Sequence, residues 1–313
     1  MDAQNQFKKG PNIYLYYWTI PFLASFVILN YLSKNLRIET LNINLMISVV
    51  SFLFGFLITI TFSMLLTRVA TLKDSLSTET GRLVSLFLLS KHLGKTFHEK
   101  IKTRIDGYTI KTLRYYSNYE KGREENYGIY EDLNDMEIKT KKQEIKAASF
   151  LYLLGEFQPT REKLEAITGK RIEWSLKCSN YLLGIILIIL LFLNRGDTFT
   201  NVLFIVLSTI IVFIFLIIED YDNLRIGDYV NNISNSEQIF DLIGKDRYYP
   251  RYLLSRVNLE PGRNYRIGFI DAETKEERMF SLQYNPKFIS RISSLTEKFR
   301  RKEQQIEQSV NNS

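Results

Sequence analysis

The sequence predicts an all-α membrane protein with four transmembrane helices in two hairpins, a helical cytoplasmic domain and a small β-hairpin in the C-terminal part. Four runs, Ile13–Leu32, Leu41–Thr67, Tyr181–Leu193 and Thr198–Ile218, contain no charged side chain. The connections at 33–40 and 194–197 carry three basic residues, whereas residues 68–177 carry 21 Lys and Arg against 16 Asp and Glu. The near-neutral mean hydropathy of −0.11 and the net charge of +7 are therefore averages over two unlike kinds of sequence.

Ile13–Leu32, at about 1.5 Å per helical residue, matches a hydrocarbon core of about 30 Å. It is too long for the apolar part of a signal peptide, and no small-x-small cleavage site follows it. Leu41–Thr67 is long enough to cross and continue about two turns further, to Arg68. Tyr181–Leu193 is short enough to be a buried core helix instead. Extending it back through Ser175–Asn180 admits one charge, Lys177, which can snorkel to the headgroups, so a span is the better reading. Asn194–Asp197 reads as a turn, pairing it with Thr198–Ile218. Positive-inside bias places residues 68–177 and both termini in the cytoplasm of a cell with the protein in its inner membrane.

This divides the chain into residues 1–67 with the first two spans, a cytoplasmic helical insert at 68–177, the second pair of spans at 178–218 and a cytoplasmic region at 219–313. In the insert, helical spacing predicts one helix over Leu72–Phe97 and another over His98–Tyr119. Asn118–Asp135, with Gly122 and Gly128, reads as a loop, and helix resumes near Thr140, restarting at Pro159 toward Trp174. After the fourth span, Glu237–Ile243 reads as a short helix broken at Gly244, and Tyr265–Asp271 with Arg278–Tyr284 as a hairpin. From Pro286 a polar helix places Ile292, Phe299 and Ile306 seven apart, suited to docking on its own domain or to oligomerisation.

Composition excludes several chemistries. The single cysteine, Cys178, allows no internal disulfide, and with only His92 and His98 beside it no Cys/His zinc site can form. The two histidines are six apart, which suits solvated surface residues better than a shared metal. No phosphate-binding glycine loop and no nucleophile–base pair is present, so no catalytic residue and no enzyme are expected. The basic insert lies beneath a bilayer, where acidic lipid accounts for its charge better than nucleic acid does. Lys245, Arg247 and Arg251, in GKDRYYPR, could hold an anionic headgroup or phosphate, but a packing corner fixed by Pro250 and filled by tyrosines is the simpler reading.

The second span is the most informative element. Ser51, Gly55, Thr59 and Ser63 recur every fourth residue, beside a stripe of Ser48, Phe52 and Phe56. Small residues on one face permit close helix packing. The same face, repeated around an axis, would give a hydrophobic constriction of phenylalanines and a wetted stretch of hydroxyl donors.

SFLFGFLITITFSMLLTR, Ser51–Arg68, resembles the second transmembrane helix of bestrophins, in which a Ser-Phe-x-x-Gly-Phe motif lines the neck of a pentameric anion channel. The layout of spans, insert and tail is similar along most of the chain, and more narrowly it looks like that of the prokaryotic bestrophin-like membrane proteins of unknown function. The resemblance implies a homo-oligomer, a pentamer in that family, passing small anions, with Ser48, Phe52 and Phe56 at the neck and Gly55 allowing close packing behind the ring. It also implies a place for calcium. Glu219, Asp220, Asp222 and Asp228 sit where the family's calcium clasp lies, without its unbroken acidic run; the alternative is that these acids pair with Arg225 and its neighbours. Two functions stay open: an oligomeric anion channel needing no cofactor beyond a candidate calcium, or a membrane-anchored scaffold or sensor whose cytoplasmic domain binds a protein or ligand.

Overall fold

The computed structural model describes residues 17–33, 43–114, 119–224, 228–254, 257, 259–270 and 277–284. The start of the first apolar run, the first external loop, Arg225 and the tail helix from Pro286 lie outside the described residues. The chain forms two compact units, Met1–Ile239 and Phe240–Ser313.

In the first unit, α1 (Thr19–Leu32) is followed by α2 (Ile43–Ser90), α3 (Lys95–Arg114), a 3₁₀ turn (Tyr119–Gly122), α4 (Arg123–Asn134), α5 (Lys141–Gly169), α6 (Trp174–Leu193) and α7 (Thr198–Asp222). The stretches Ile43–Ser90, Lys141–Leu193 and Thr198–Asp222 each hold a helix long and apolar enough to cross a membrane, while α1 is a shorter apolar helix of 14 residues. The expected pairing into two hairpins needs revision. α6 and α7 pack as a hairpin across the 194–197 turn, but α1 packs chiefly on α7, and the apolar part of α2 lies against α6. The centre of this layer is Phe54, Leu187, Leu191, Phe204 and Ile211, with edge-to-face ring pairs Phe26–Phe204 at 5.7 Å and Tyr181–Phe215 at 4.8 Å. Asn180 Nδ2 donates to Thr61 Oγ1 at 2.7 Å, a buried polar tie between α6 and α2. At the turn, Asp197 accepts from Thr200 N and caps α7. Arg195 folds back to donate to Phe192 O, Asn30 O and Ser33 O, with its guanidinium 3.7 Å from the Phe192 ring centre.

The helix that begins in the second span does not end near Arg68. α2 runs 48 residues without a break, about 72 Å at 1.5 Å per residue, so the expected separate helix from Leu72 is its continuation. Leu65, Val69, Leu72, Leu76, Leu83 and Phe87 form one buried stripe that passes the charge boundary without change of phase. α2 packs on α5 and α3, and α3 on α4.

The loop expected at Asn118–Asp135 is instead the 3₁₀ turn and α4. Its glycines serve close approach rather than a turn: a Cβ at Gly122 would lie 2.9 Å from the Tyr108 ring, and one at Gly128 would overlap the Arg104 guanidinium. Asn126, Ile129 and Asp132 are buried, and Arg104 Nε donates to Asp132 at 2.9 Å. α5 likewise passes straight through Pro159, held on one face by buried Phe150, Leu154, Phe157, Arg161 and Leu164. The break falls at residues 170–173.

His98 also departs from expectation. It is not a solvated histidine: Nδ1 lies 2.7 Å from Ser90 Oγ, whose own proton goes to Phe87 O, and its ring lies 4.7 Å from that of Phe87. Burial holds the imidazole pKa below its ordinary value. The neutral form is thus favoured on folding, and the stability it confers is complete above the unfolded pKa of about 6.5 and declines as pH falls toward the folded value. His98→Phe is expected to remove that loss, measured as the difference between the two proteins' unfolding temperatures from pH 7.5 down to about 5.5.

α8 (Asp228–Ile243) begins in the first unit and ends four residues into the second. The helix is longer than expected but stops at the expected glycine: Gly244 has φ +64°, and Lys245 N donates to Phe240 O in a Schellman closure. A three-stranded sheet follows, β1 (Arg247–Pro250) parallel to β2 (Asn264–Ile270), and β2 antiparallel to β3 (Glu277–Gln283) with Tyr265 opposite Leu282. The expected hairpin is β2–β3; β1 is additional, formed by the segment read as a loop. Tyr248, Tyr249, Tyr265 and Ile267 are buried.

Candidate functional site

α2 separates its residues cleanly by face. Phe54, Thr61 and Leu65 are buried, while Phe52 and Phe56 are 73 % and 59 % exposed. Ser48, Gly55, Thr59 and Ser63 share the exposed side, and Ser51 is half-buried at its margin. A Cβ at Gly55 would meet nothing within 4 Å, so among the described residues no helix packs against Gly55. Two of the hydroxyls bond to their own helix. Ser48 Oγ donates to Asn44 O at 2.9 Å and Thr59 Oγ1 to Gly55 O at 2.8 Å, so these protons serve the helix itself and the oxygens face outward.

A polar cluster forms at the other end of the spans, where the first charge after α2's apolar run meets the last turn of α7. Arg68 donates twice to Ile167 O, at 3.1 and 2.9 Å, and once to Asp222 O at 3.0 Å. Asp222 Oδ1 accepts from Ile172 N at 2.8 Å and Oδ2 from Lys177 Nζ at 3.1 Å. Glu219 Oε2 accepts from Tyr181 at 3.2 Å and pairs with Lys177, and its Oε1 accepts from Asn223 at 3.0 Å. Lys177 therefore does not snorkel to the headgroups; its side chain is 12 % exposed and turned inward. Lys177 and Arg68 pair with Glu219 and Asp222, and Arg225 lies outside the described residues.

Of the four acids named from the sequence, Glu219 and Asp222 are taken up by protein donors. Every carboxylate oxygen of Glu219 and Asp222 faces a protein donor, Asp220 is fully buried, and Asp228 begins α8 with its side chain outside the described residues. Among the described residues no group of three His, Cys, Asp or Glu side chains is placed to hold a metal. This donor set does not fit calcium, which takes six to eight oxygens.

The basic trio also separates. Arg247 forks onto Asp241, at 3.1 and 2.6 Å, and Arg263 reaches the same carboxylate; the Arg247 bond above all holds the Asp241 pKa below the ordinary carboxylate value. Lys245 and Arg251 are exposed. With Tyr248 and Tyr249 each 1 % exposed, the segment is a packing corner built as a strand.

A buried network lay beyond the reach of sequence reasoning. Tyr108 donates to Glu79 Oε1, Arg161 lies fully buried beside the same hydroxyl, and Arg161 Nη2 pairs with Glu165 at 3.4 Å. Burial, followed by Glu79, pushes the Tyr108 hydroxyl pKa well up, with Arg161 opposing. A Glu and an Arg at buried positions of otherwise apolar stripes were the available signals.

An exposed aromatic face on a continuous spanning helix, packed behind by a helical hairpin and leading into a polar helical domain, defines an integral membrane protein of helical type. The Bestrophin-like domain matches residues 17–229, and the chain belongs to the Bestrophin-like family. No curated protein sequence matches it. Among solved structures, one variant of a bacterial bestrophin homologue from Klebsiella pneumoniae is similar with a TM-score of 0.58 at 9% identity, covering 72% of this chain and 99% of that one. A second variant of that homologue gives 0.55 at 10% identity, covering 74% and 100%, and a structure described as a membrane protein gives 0.57 at 9%, covering 73% and 98%. At these identities the likeness is one of fold.

Proposed function

We propose that the chain is one subunit of a homo-oligomeric channel in the inner membrane, passing small anions along an axis lined by α2. The observation that carries this is the outward face of α2, where Phe52, Phe56 and open Gly55 are exposed among the described residues. Copies arranged around an axis, five in the family the sequence resembles, would turn that face inward. Phe52 and Phe56 then form a dewetting constriction, with Ser48 one turn away and Thr59 and Ser63 in the wider part. Because Ser48 and Thr59 spend their protons on the backbone, anions are drawn mainly by the positive field of the polar domain rather than by hydroxyl donors. α1 completes four crossings, with the insert and both termini on the cytoplasmic side and the basic excess of residues 68–177 facing acidic lipid. No enzymatic step and no nucleic-acid contact belongs to this reading.

Purified protein in liposomes is expected to conduct chloride or iodide. Phe52→Ala with Phe56→Ala is expected to raise that flux about tenfold, equivalent to lowering a barrier by about 1.4 kcal/mol. A folded oligomer silent over a range of voltages would refute the channel, and a monomer in lipid would favour the membrane-anchored scaffold or sensor.

A further inference from the structure

The polar cluster at the end of the spans joins five parts of the chain: α2 through Arg68, the last turn of α5 through Ile167, the 170–173 link through Ile172, α6 through Lys177 and Tyr181, and α7 through Glu219 and Asp222. A joint of converging carboxylates and carbonyls in this position is an arrangement that a bound divalent cation can tie together. Here two side-chain cations do so. Arg68 and Lys177 bring two positive charges to the two negative charges of Glu219 and Asp222, and the joint is neutral as built.

We propose that Lys177 is a tethered cation standing in the place of a metal, so that this joint between the spans and the polar domain is closed without divalent ions. The Lys177 ammonium bridges one oxygen of Glu219 and one of Asp222, as a metal would. The carbonyl of Ile167, a plausible metal ligand by chemistry, is turned to the Arg68 guanidinium by two hydrogen bonds. An incoming dication would have to displace Lys177 and would meet Arg68, whose Nη1 lies 3.7 Å from Asp222 Oδ1. A joint made this way is set at synthesis and does not respond to calcium. The inference rests on the geometry of one chain and is independent of the channel reading.

The test is thermal unfolding of the purified full-length protein in lipid nanodiscs, with chelator or with millimolar calcium. The wild type is expected to unfold within about 1 °C of the same temperature in both. Lys177→Gln, which keeps a polar side chain without charge, is expected to unfold about 5–10 °C lower in chelator and to recover part of that loss in calcium, while Lys177→Arg stays near wild type and calcium-independent. Calcium stabilisation of the wild type that Asp222→Asn abolishes would overturn the proposal, as would Lys177→Gln unfolding at the wild-type temperature. A loss that calcium does not restore would leave Lys177 an ordinary ion pair and also overturn it. Should Lys177→Gln fail to fold in chelator, the same variant prepared in millimolar calcium decides: folded protein in calcium supports the proposal, and failure to fold in calcium overturns it.

Discussion

Arg161→Met is expected to destabilise the protein by about 3–5 kcal/mol, seen as loss of most folded material at the wild-type unfolding temperature. The reason is location. Arg161 is fully buried on α5, and Glu79 on α2 is 5 % exposed, with the Tyr108 hydroxyl between them. Removing the guanidinium takes a buried cation away from the neighbourhood of the Glu79 carboxylate in a low-dielectric interior. Methionine fills most of the volume, so the effect isolates charge from packing. Glu79→Leu, Tyr108→Phe and Arg161→Met combined are expected to recover most of the loss, because a fully apolar replacement of a buried ionic network costs little. Unfolding of Arg161→Met at the wild-type temperature would show the network to be energetically idle. The network's value then lies in specificity: it fixes α2 against α3 and α5 in one register, which leucines alone would not distinguish from a slip of one turn.

Arg195→Ala is expected to cost about 3 kcal/mol and to loosen α1 selectively. Arg195 is 6 % exposed; beyond its bonds to Phe192 O, Asn30 O and Ser33 O it reaches Asn30 Oδ1 at 3.2 Å. The last carbonyls of any helix lack intrahelical partners, and here a side chain from the opposite turn supplies them. Hydrogen bonds from a charged donor and a guanidinium stacked on an aromatic ring each contribute in the range of one to a few kcal/mol. Hydrogen exchange should therefore rise in α1 while α5 keeps its protection, and an unchanged α1 would count against the tie. Arg195→Lys retains the charge but not the planar fork, and is expected to recover less than half of the loss.

Much of the spanning architecture was legible because it rests on one-dimensional physics. A run without charges long enough to cross a bilayer is visible residue by residue, and so were the α6–α7 turn, the stop at Gly244 and the β2–β3 hairpin. What was not legible depended on partners distant in sequence. Arg68 reads as a boundary because it is charged, yet backbone hydrogen bonding is indifferent to that charge and the buried stripe of α2 continues past it. Gly122 and Gly128 read as breakers because the sequence cannot show that Tyr108 and Arg104 will press against them. Lys177 reads as a snorkelling residue until Asp222, 45 positions away, is brought beside it. At the candidate site, the identity of the outward residues followed from helical spacing, whereas the direction of the Ser48 and Thr59 protons required the folded helix.

The unbroken α2 has a consequence for what the gene can tolerate. Phe52 and Phe56 point outward, and Leu72, Leu76 and Leu83 inward, on one rigid rod with no hinge between them. One residue inserted between these groups would turn one set by about 100° against the other, presenting leucines to water or burying the phenylalanines. Seven residues would nearly restore the phase, since two turns fall only about 20° short. Length variation in this helix is thus confined to insertions close to whole turns, of about 7 or 11 residues, each about 20° from phase, and neither end can be recut alone.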